Sequence, residues 1–124
     1  MEKEIRKVLI VDDSHVVRSF HGNILKSAGF QVDGAADGVE ALEKALTDEY
    51  DLILCDINMP RMDGLTFIKK YRELDKETPI IIITTQEEAI NRQKGYEAGA
   101  NLYIVKPVKP QTLITHIKML LGGK

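Results

Sequence analysis

Four short apolar runs stand out along the chain: "VLIV" from Val8, "LILC" from Leu52, "IIII" from Ile80 and "LYIV" from Leu102. Each is apolar at successive positions and too short for a helix, the pattern of a strand buried on both faces. The segments between them follow a different period. Val16, Val17, Phe20, Ile24 and Leu25 recur at helical spacing, as do Val39, Leu42 and Leu46, then Leu65, Ile68 and Tyr71, then Leu113, Ile114, Ile117, Leu120 and Leu121. These positions predict amphipathic helices. Boundary residues agree: Gly29 follows the first helix, Asp37 can cap the second, and Pro110 suits the first turn of the last. A fifth strand, Gln31 to Ala35, alternates weakly and reads as an edge. A strand and a helix repeated five times predict an α/β fold, a parallel sheet with helices on both faces. One helix is unlike the others. "QEEAINRQKGYEAG", from Gln86, is mostly polar, contains Gly95, and offers only Ala89, Ile90, Tyr96 and Ala98 for burial, so it is expected to pack weakly and to move;.

Composition narrows the classes of function. A chain of 124 residues suits one domain with a real core;. Seventeen basic against nineteen acidic residues leave a net charge of −2 with no basic stripe, so nucleic acid is not an expected partner;. No apolar run approaches the roughly 20 residues that span a bilayer, and "MEKEIRK" lacks the apolar segment of a signal peptide. The expectation is a cytoplasmic protein without a membrane partner. The single cysteine, Cys55, sits inside an apolar run and reads as a small core side chain in a reducing compartment;.

The residues that follow the buried runs carry the chemistry. They are Asp12 and Asp13 after the first, Asp56 after the third strand, Thr84 and Thr85 at the fourth, and Lys106 before Pro107 at the fifth. In a parallel sheet these positions share one edge, where ligands of open α/β sheets bind. Each has a plainer reading alone. Asp12, Asp13 and Ser14 can cap a helix, Thr84 or Thr85 can do the same, Asp56 can form a turn before Asn58 and Pro60, and Lys106 can be solvated. Their coincidence at one edge argues for a site. Two unit charges about 4 Å apart repel by about 4 kcal/mol at an effective dielectric near 20, so three gathered carboxylates need positive charge beside them. One lysine is insufficient, and an all-oxygen donor set without His or Cys suits Mg²⁺ rather than zinc. His15, His21 and His116 lack metal-ligand spacing.

The segments "LIVDDS", "DLILCDINMPRMDG", "IIIITT" and "YIVKP" resemble the signature segments of response-regulator receiver domains in identity, spacing and order, across essentially the whole chain. The resemblance implies a flavodoxin-like strand order 2-1-3-4-5, for which a relative in this family is a standard example. It implies that Asp56 accepts a phosphoryl group from a phosphohistidine of a sensor histidine kinase or phosphotransfer protein. Asp12 and Asp13 match the acidic pair that holds Mg²⁺, with Asp13, Asp56 and the main-chain carbonyl of Asn58 as inner ligands and Asp12 acting through water. Thr84 and Lys106 match the groups that engage the phosphoryl oxygens, and Tyr103 matches the aromatic residue that turns inward on activation. The Lys106–Pro107 bond is expected to be cis. Thr85 stands where many relatives have alanine or glycine, and Asn58 and Gln86 occupy the two flanking positions that tune dephosphorylation.

The chemistry suits the residue types, because phosphoryl transfer needs mainly positioning and charge neutralisation around a carboxylate nucleophile. The expected behaviour is that of a protein that promotes only its own phosphorylation and dephosphorylation, not an enzyme with turnover. A flavodoxin-like electron carrier would need a hydroxyl- and glycine-rich loop where this chain has "DDSH". An aspartate-nucleophile phosphatase would need a second carboxylate at Asn58, and a pseudo-receiver tends to lose the acidic pair or the lysine. Only seventeen residues follow Pro107. The expectation is therefore a single receiver domain over 1–124, core about 6–121, with no output domain: a monomeric, stand-alone, chemotaxis-type regulator. The alternatives are a phosphorelay shuttle or a receiver fragment of a larger regulator. Its downstream protein target is expected on the face formed by helix 86–98, strand 102–105 and helix 110–121.

Overall fold

A computed structural model describes residues 5–85 and 89–122; Gln86 lies outside the described residues. Strands and helices alternate from end to end: β1 (Lys7–Val11), α1 (His15–Ser27), β2 (Gln31–Ala35), α2 (Gly38–Thr47), β3 (Leu52–Cys55), α3 (Gly64–Leu74), β4 (Ile80–Thr84), α4 (Ala89–Ala98), β5 (Leu102–Val105) and α5 (Pro110–Leu120). All five strands are parallel, in the order β2-β1-β3-β4-β5. The doubly wound order implied by the resemblance is the observed one. β2, the weakly alternating segment, is an edge.

Local chemistry sets where the helices begin and end. Ser14 caps α1, its hydroxyl accepting from the Val17 N–H at 3.2 Å. Asp37 caps α2 by accepting from Glu40 N–H at 2.9 Å, and the Glu40 carboxylate reaches back to the Ala36 N–H at 2.7 Å. Asp63 caps α3 through Thr66 N–H at 2.9 Å. Such caps each contribute about 1 kcal/mol. Gly29, just past α1, adopts φ +95°, and Pro110 opens α5, as the sequence predicts. The Lys106–Pro107 peptide is cis.

The sheet separates two cores. On one side Ala41, Phe67, Ile68, Tyr71 and Ala98 from α2, α3 and α4 pack on Leu9, Ile53, Ile80, Ile82 and Tyr103. On the other, Leu25, Leu113 and Ile117 from α1 and α5 pack on Val8, Ile10, Leu54, Ile81 and Ile83. Burial corrects part of the helical reading. Val16, Phe20 and Leu46 lie on the predicted apolar stripes yet are exposed, because α1 and α2 present a narrower face to the sheet than their hydrophobic residues span. In α4, Ala98 is buried as the sequence predicts, but Ile90 and Tyr96 face solvent and Gly95 is buried instead.

Candidate functional site

The parallel registers bring the strand ends together. Val11 pairs with Cys55, so the residues that follow, Asp12 and Asp56, emerge side by side from adjacent strands. The Asp56 N–H donates to the Val11 carbonyl at 2.9 Å, which fixes the start of the loop that carries the carboxylate. Lys106 leaves β5 with its N–H on the Thr84 carbonyl at 2.7 Å, and its ammonium reaches across the sheet edge. There its Nζ lies 2.9 Å from Asp12 Oδ2 and 3.2 Å from Asp56 Oδ2. Asp12 is nearly inaccessible, Asp56 and Lys106 are mostly buried, and Asp13 is exposed at the mouth. Burial alone works against the ammonium, but the Asp12 hydrogen bond and the Asp56 charge outweigh it and hold the Lys106 pKa above the usual lysine value;.

Local geometry decides which residue caps the first helix. Ser14, not Asp12 or Asp13, caps α1. Thr84 ends β4 fully buried, and Thr85 next to it is exposed. Tyr103 on the edge strand β5 is buried.

Asp12, Asp13 and Asp56 each offer a carboxylate oxygen, all within 4.8 Å of one another. The donor set is hard oxygen throughout and fits a divalent cation of the Mg²⁺ kind. Asp12 already accepts the Ser14 N–H through Oδ1 at 2.9 Å and Lys106 through Oδ2. Asp56 Oδ1 accepts the Ile57 N–H at 2.7 Å. Asp13 is thus the least committed of the three carboxylates. Asn58 is exposed on the same loop.

Several residues that position the site were not singled out from sequence. Arg18 donates to the Asp12 carbonyl at 2.6 Å, bracing the β1–α1 turn from inside the first helix. At the start of α3, a Cβ on Gly64 would overlap the Asp56 carbonyl oxygen, so only glycine lets the helix approach the acceptor loop this closely;. The "DG" at Asp63 and Gly64 was the available signal. His21 is buried behind the site. Burial, then the Lys106 charge, lower its pKa, with Asp12 and Asp56 opposing. Cys55 is sealed beneath Asp56, and burial pushes its thiol well up, so it is no nucleophile;.

Residues 8–118 match the response regulator receiver domain, and the chain belongs to this family. Its curated relatives include the transcriptional regulatory protein ResD of Bacillus subtilis, 42% identical over 115 residues, and SrrA of Staphylococcus aureus, 41% identical over the same length. These alignments cover 93% of this chain but 48% and 47% of those proteins, so the chain spans about half the length of the curated relatives it matches. Among solved structures, a CheY-like receiver domain protein from Methanospirillum hungatei superposes with a TM-score of 0.92 at 32% identity, covering 97% of this chain and 96% of that one. The chemotaxis protein CheY4 of Vibrio cholerae superposes at 0.89 with 41% identity, covering 94% and 98%. No described helix is long and apolar enough to cross a membrane.

Proposed function

We propose that Asp56 accepts a phosphoryl group from a phosphohistidine on a sensor kinase or phosphotransfer protein, and that the phosphorylated domain signals through a changed protein-binding face. The observation that carries this reading is the Asp56 carboxylate held 3.2 Å from the Lys106 ammonium, with Asp12 and Asp13 alongside. A carboxylate oxygen of Asp56 attacks phosphorus as the P–N bond to the donor imidazole breaks, giving an acyl phosphate and free histidine. Lys106 and the Thr84 hydroxyl stabilise the transferred oxygens, and Asp13, Asp56 and the Asn58 carbonyl would hold a Mg²⁺ ion that would supply further charge neutralisation. Water later cleaves the acyl phosphate, so the protein times a signal and turns over no external substrate.

With Mg²⁺ and acetyl phosphate the protein is expected to gain one phosphoryl group, and Asp56→Asn to gain none. Labelling that survives in the mutant overturns the assignment. The output face comprises α4, β5 and α5, and the partner is a cytoplasmic protein. A stand-alone, monomeric, chemotaxis-type regulator is the finer reading, and the 41% identity to the chemotaxis protein CheY4 supports it. The half-length match to ResD and SrrA supports the alternative, a receiver joined to further sequence. An immunoblot of source cells separates them: a 13.9 kDa band supports the first and a band near twice that mass the second.

A further inference from the structure

The sheet-facing side of α4 is built from unusual residues. Arg92, Gly95 and Ala98 follow one another at three-residue spacing, so they share a face;. None of them is a bulky aliphatic anchor, and Ile90 and Tyr96 point away. The volume beneath this face is filled from β5 by the Tyr103 ring, which is 3% exposed. Arg92 holds that ring from above. Its guanidinium carbon sits 4.8 Å from the ring centroid, and its Nη1 donates to the Tyr103 carbonyl at 3.1 Å, so one side chain grips both the ring and its backbone;. Gly95 leaves the space the ring needs. A Cβ there would come within 3.1 Å of Tyr103 Cδ2 and 2.7 Å of Ile82 Cδ1.

We propose that Arg92 and Gly95 form a latch that holds Tyr103 inward, and that this latch, not the acceptor site alone, sets how readily the output face adopts its phosphorylated arrangement. The proposal rests on the reading of Asp56 and Tyr103 given above and adds two positioning residues to it. Docking of α4 and burial of the ring are one equilibrium, because among the described side chains of the helix only that of Ala98 is otherwise fully buried. Any group that favours the inward ring also favours the phosphorylated site, and the coupling is reciprocal: weakening the latch must weaken binding of a phosphoryl mimic at Asp56, although neither residue touches it. Arg92→Gln removes the charge over the ring. Gly95→Ala crowds the inward ring along its Cδ2–Cε2 edge and so disfavours that position.

The test uses the full chain labelled with 3-fluorotyrosine, whose four signals are assigned by single Tyr→Phe substitutions. Wild type is expected to show the Tyr103 fluorine mainly at a buried shift. Arg92→Gln should move the inward-to-outward ratio by roughly two- to fivefold, the range a contact of this kind carries, and Gly95→Ala should move it in the same direction. Arg92→Lys should recover part of the loss. Beryllium fluoride, titrated with Mg²⁺, should bind both variants more weakly than wild type while still saturating them. A Tyr103 signal unchanged in both variants overturns the latch, as does unchanged beryllium fluoride affinity alongside a shifted ring. If beryllium fluoride fails to bind the wild type, the Asp56 reading falls instead, and the fluorine comparison without it still decides whether Arg92 and Gly95 hold the ring.

Discussion

Lys106 sits between two opposed effects, and its removal shows which dominates. Lys106→Met keeps the aliphatic stem but leaves Asp12 and Asp56 facing each other across a mostly buried edge. Stripping the partner from buried polar groups costs roughly 1–3 kcal/mol. The variant is therefore expected to unfold at lower urea than wild type in EDTA, and saturating Mg²⁺ should narrow the gap, because carboxylates without the competing ammonium bind the cation more tightly;. A gap that is equal with and without Mg²⁺ argues against a shared role for lysine and metal. Asp75 is a second instructive carboxylate, remote from the site. It accepts the Thr78 hydroxyl at 2.6 Å, the Glu77 and Thr78 N–H groups at 2.7 and 3.1 Å, and the Tyr71 hydroxyl at 3.1 Å. The Thr78 hydroxyl is the largest cause, and together these bonds overcome burial and bring its pKa down to about 2. The unfolded value is about 3.9, so the folded state binds its proton more weakly, and stability from Asp75 is fully present above about pH 4 and lost as pH falls toward 2. Urea midpoints of wild type and Asp75→Ala should thus differ by a constant amount from pH 8 to 5 and converge below pH 4.

At the scale of elements, the helix that presents the acceptor loop depends on one missing side chain. Gly64→Ala drives a Cβ into the Asp56 carbonyl, which is main chain and cannot rotate away. Forced overpacking of this kind costs typically 1–3 kcal/mol. Because the displaced group belongs to Asp56, labelling by acetyl phosphate should slow even at temperatures where the variant is folded. Far-UV circular dichroism and a labelling time course measure the two effects separately. The same element shows what sequence could and could not reveal. The strands were legible because β1, β3 and β4 are buried on both faces and allow no polar interruption. The site's members were legible because a strand that stops at a charged residue exposes that residue at the sheet edge. Burial within helices was less so: Phe20 fits the spacing of α1 but is exposed, and His21 beside it is buried. Period identifies a stripe, whereas the neighbouring element decides which part of the stripe is covered. Close approaches were hidden too, since nothing in a glycine's identity says whether it serves a turn, as Gly29 does, or a contact between backbones, as Gly64 does. The contacts of Gly95 and Arg92 with Tyr103 were hidden for a related reason. A polar α4 reads as poorly anchored until β5 is seen to send an aromatic ring beneath it.

For the whole molecule, the sheet is a wall between two cores, and β4, an interior strand between β3 and β5, alternates its side chains between them. Ile80 and Ile82 belong to the core under α2, α3 and α4, whereas Ile81 and Ile83 belong to the core under α1 and α5. Removing one methyl from any of these buried residues costs about 0.5–1.5 kcal/mol. On a denaturation curve, Ile81→Val, Ile82→Val and Ile83→Val are expected to look alike. Only Ile82 reaches the space beside Gly95, and it is the register partner of Tyr103. Ile82→Val should therefore also shift the fluorine signal of Tyr103 and the affinity for beryllium fluoride, while its two neighbours leave both unchanged. Four identical letters in a row thus carry unequal information. Under selection for a stable fold alone they drift as equivalents, but under selection for a working signal one of them is pinned, and a library of variants sorted first by folding and then by response would single it out.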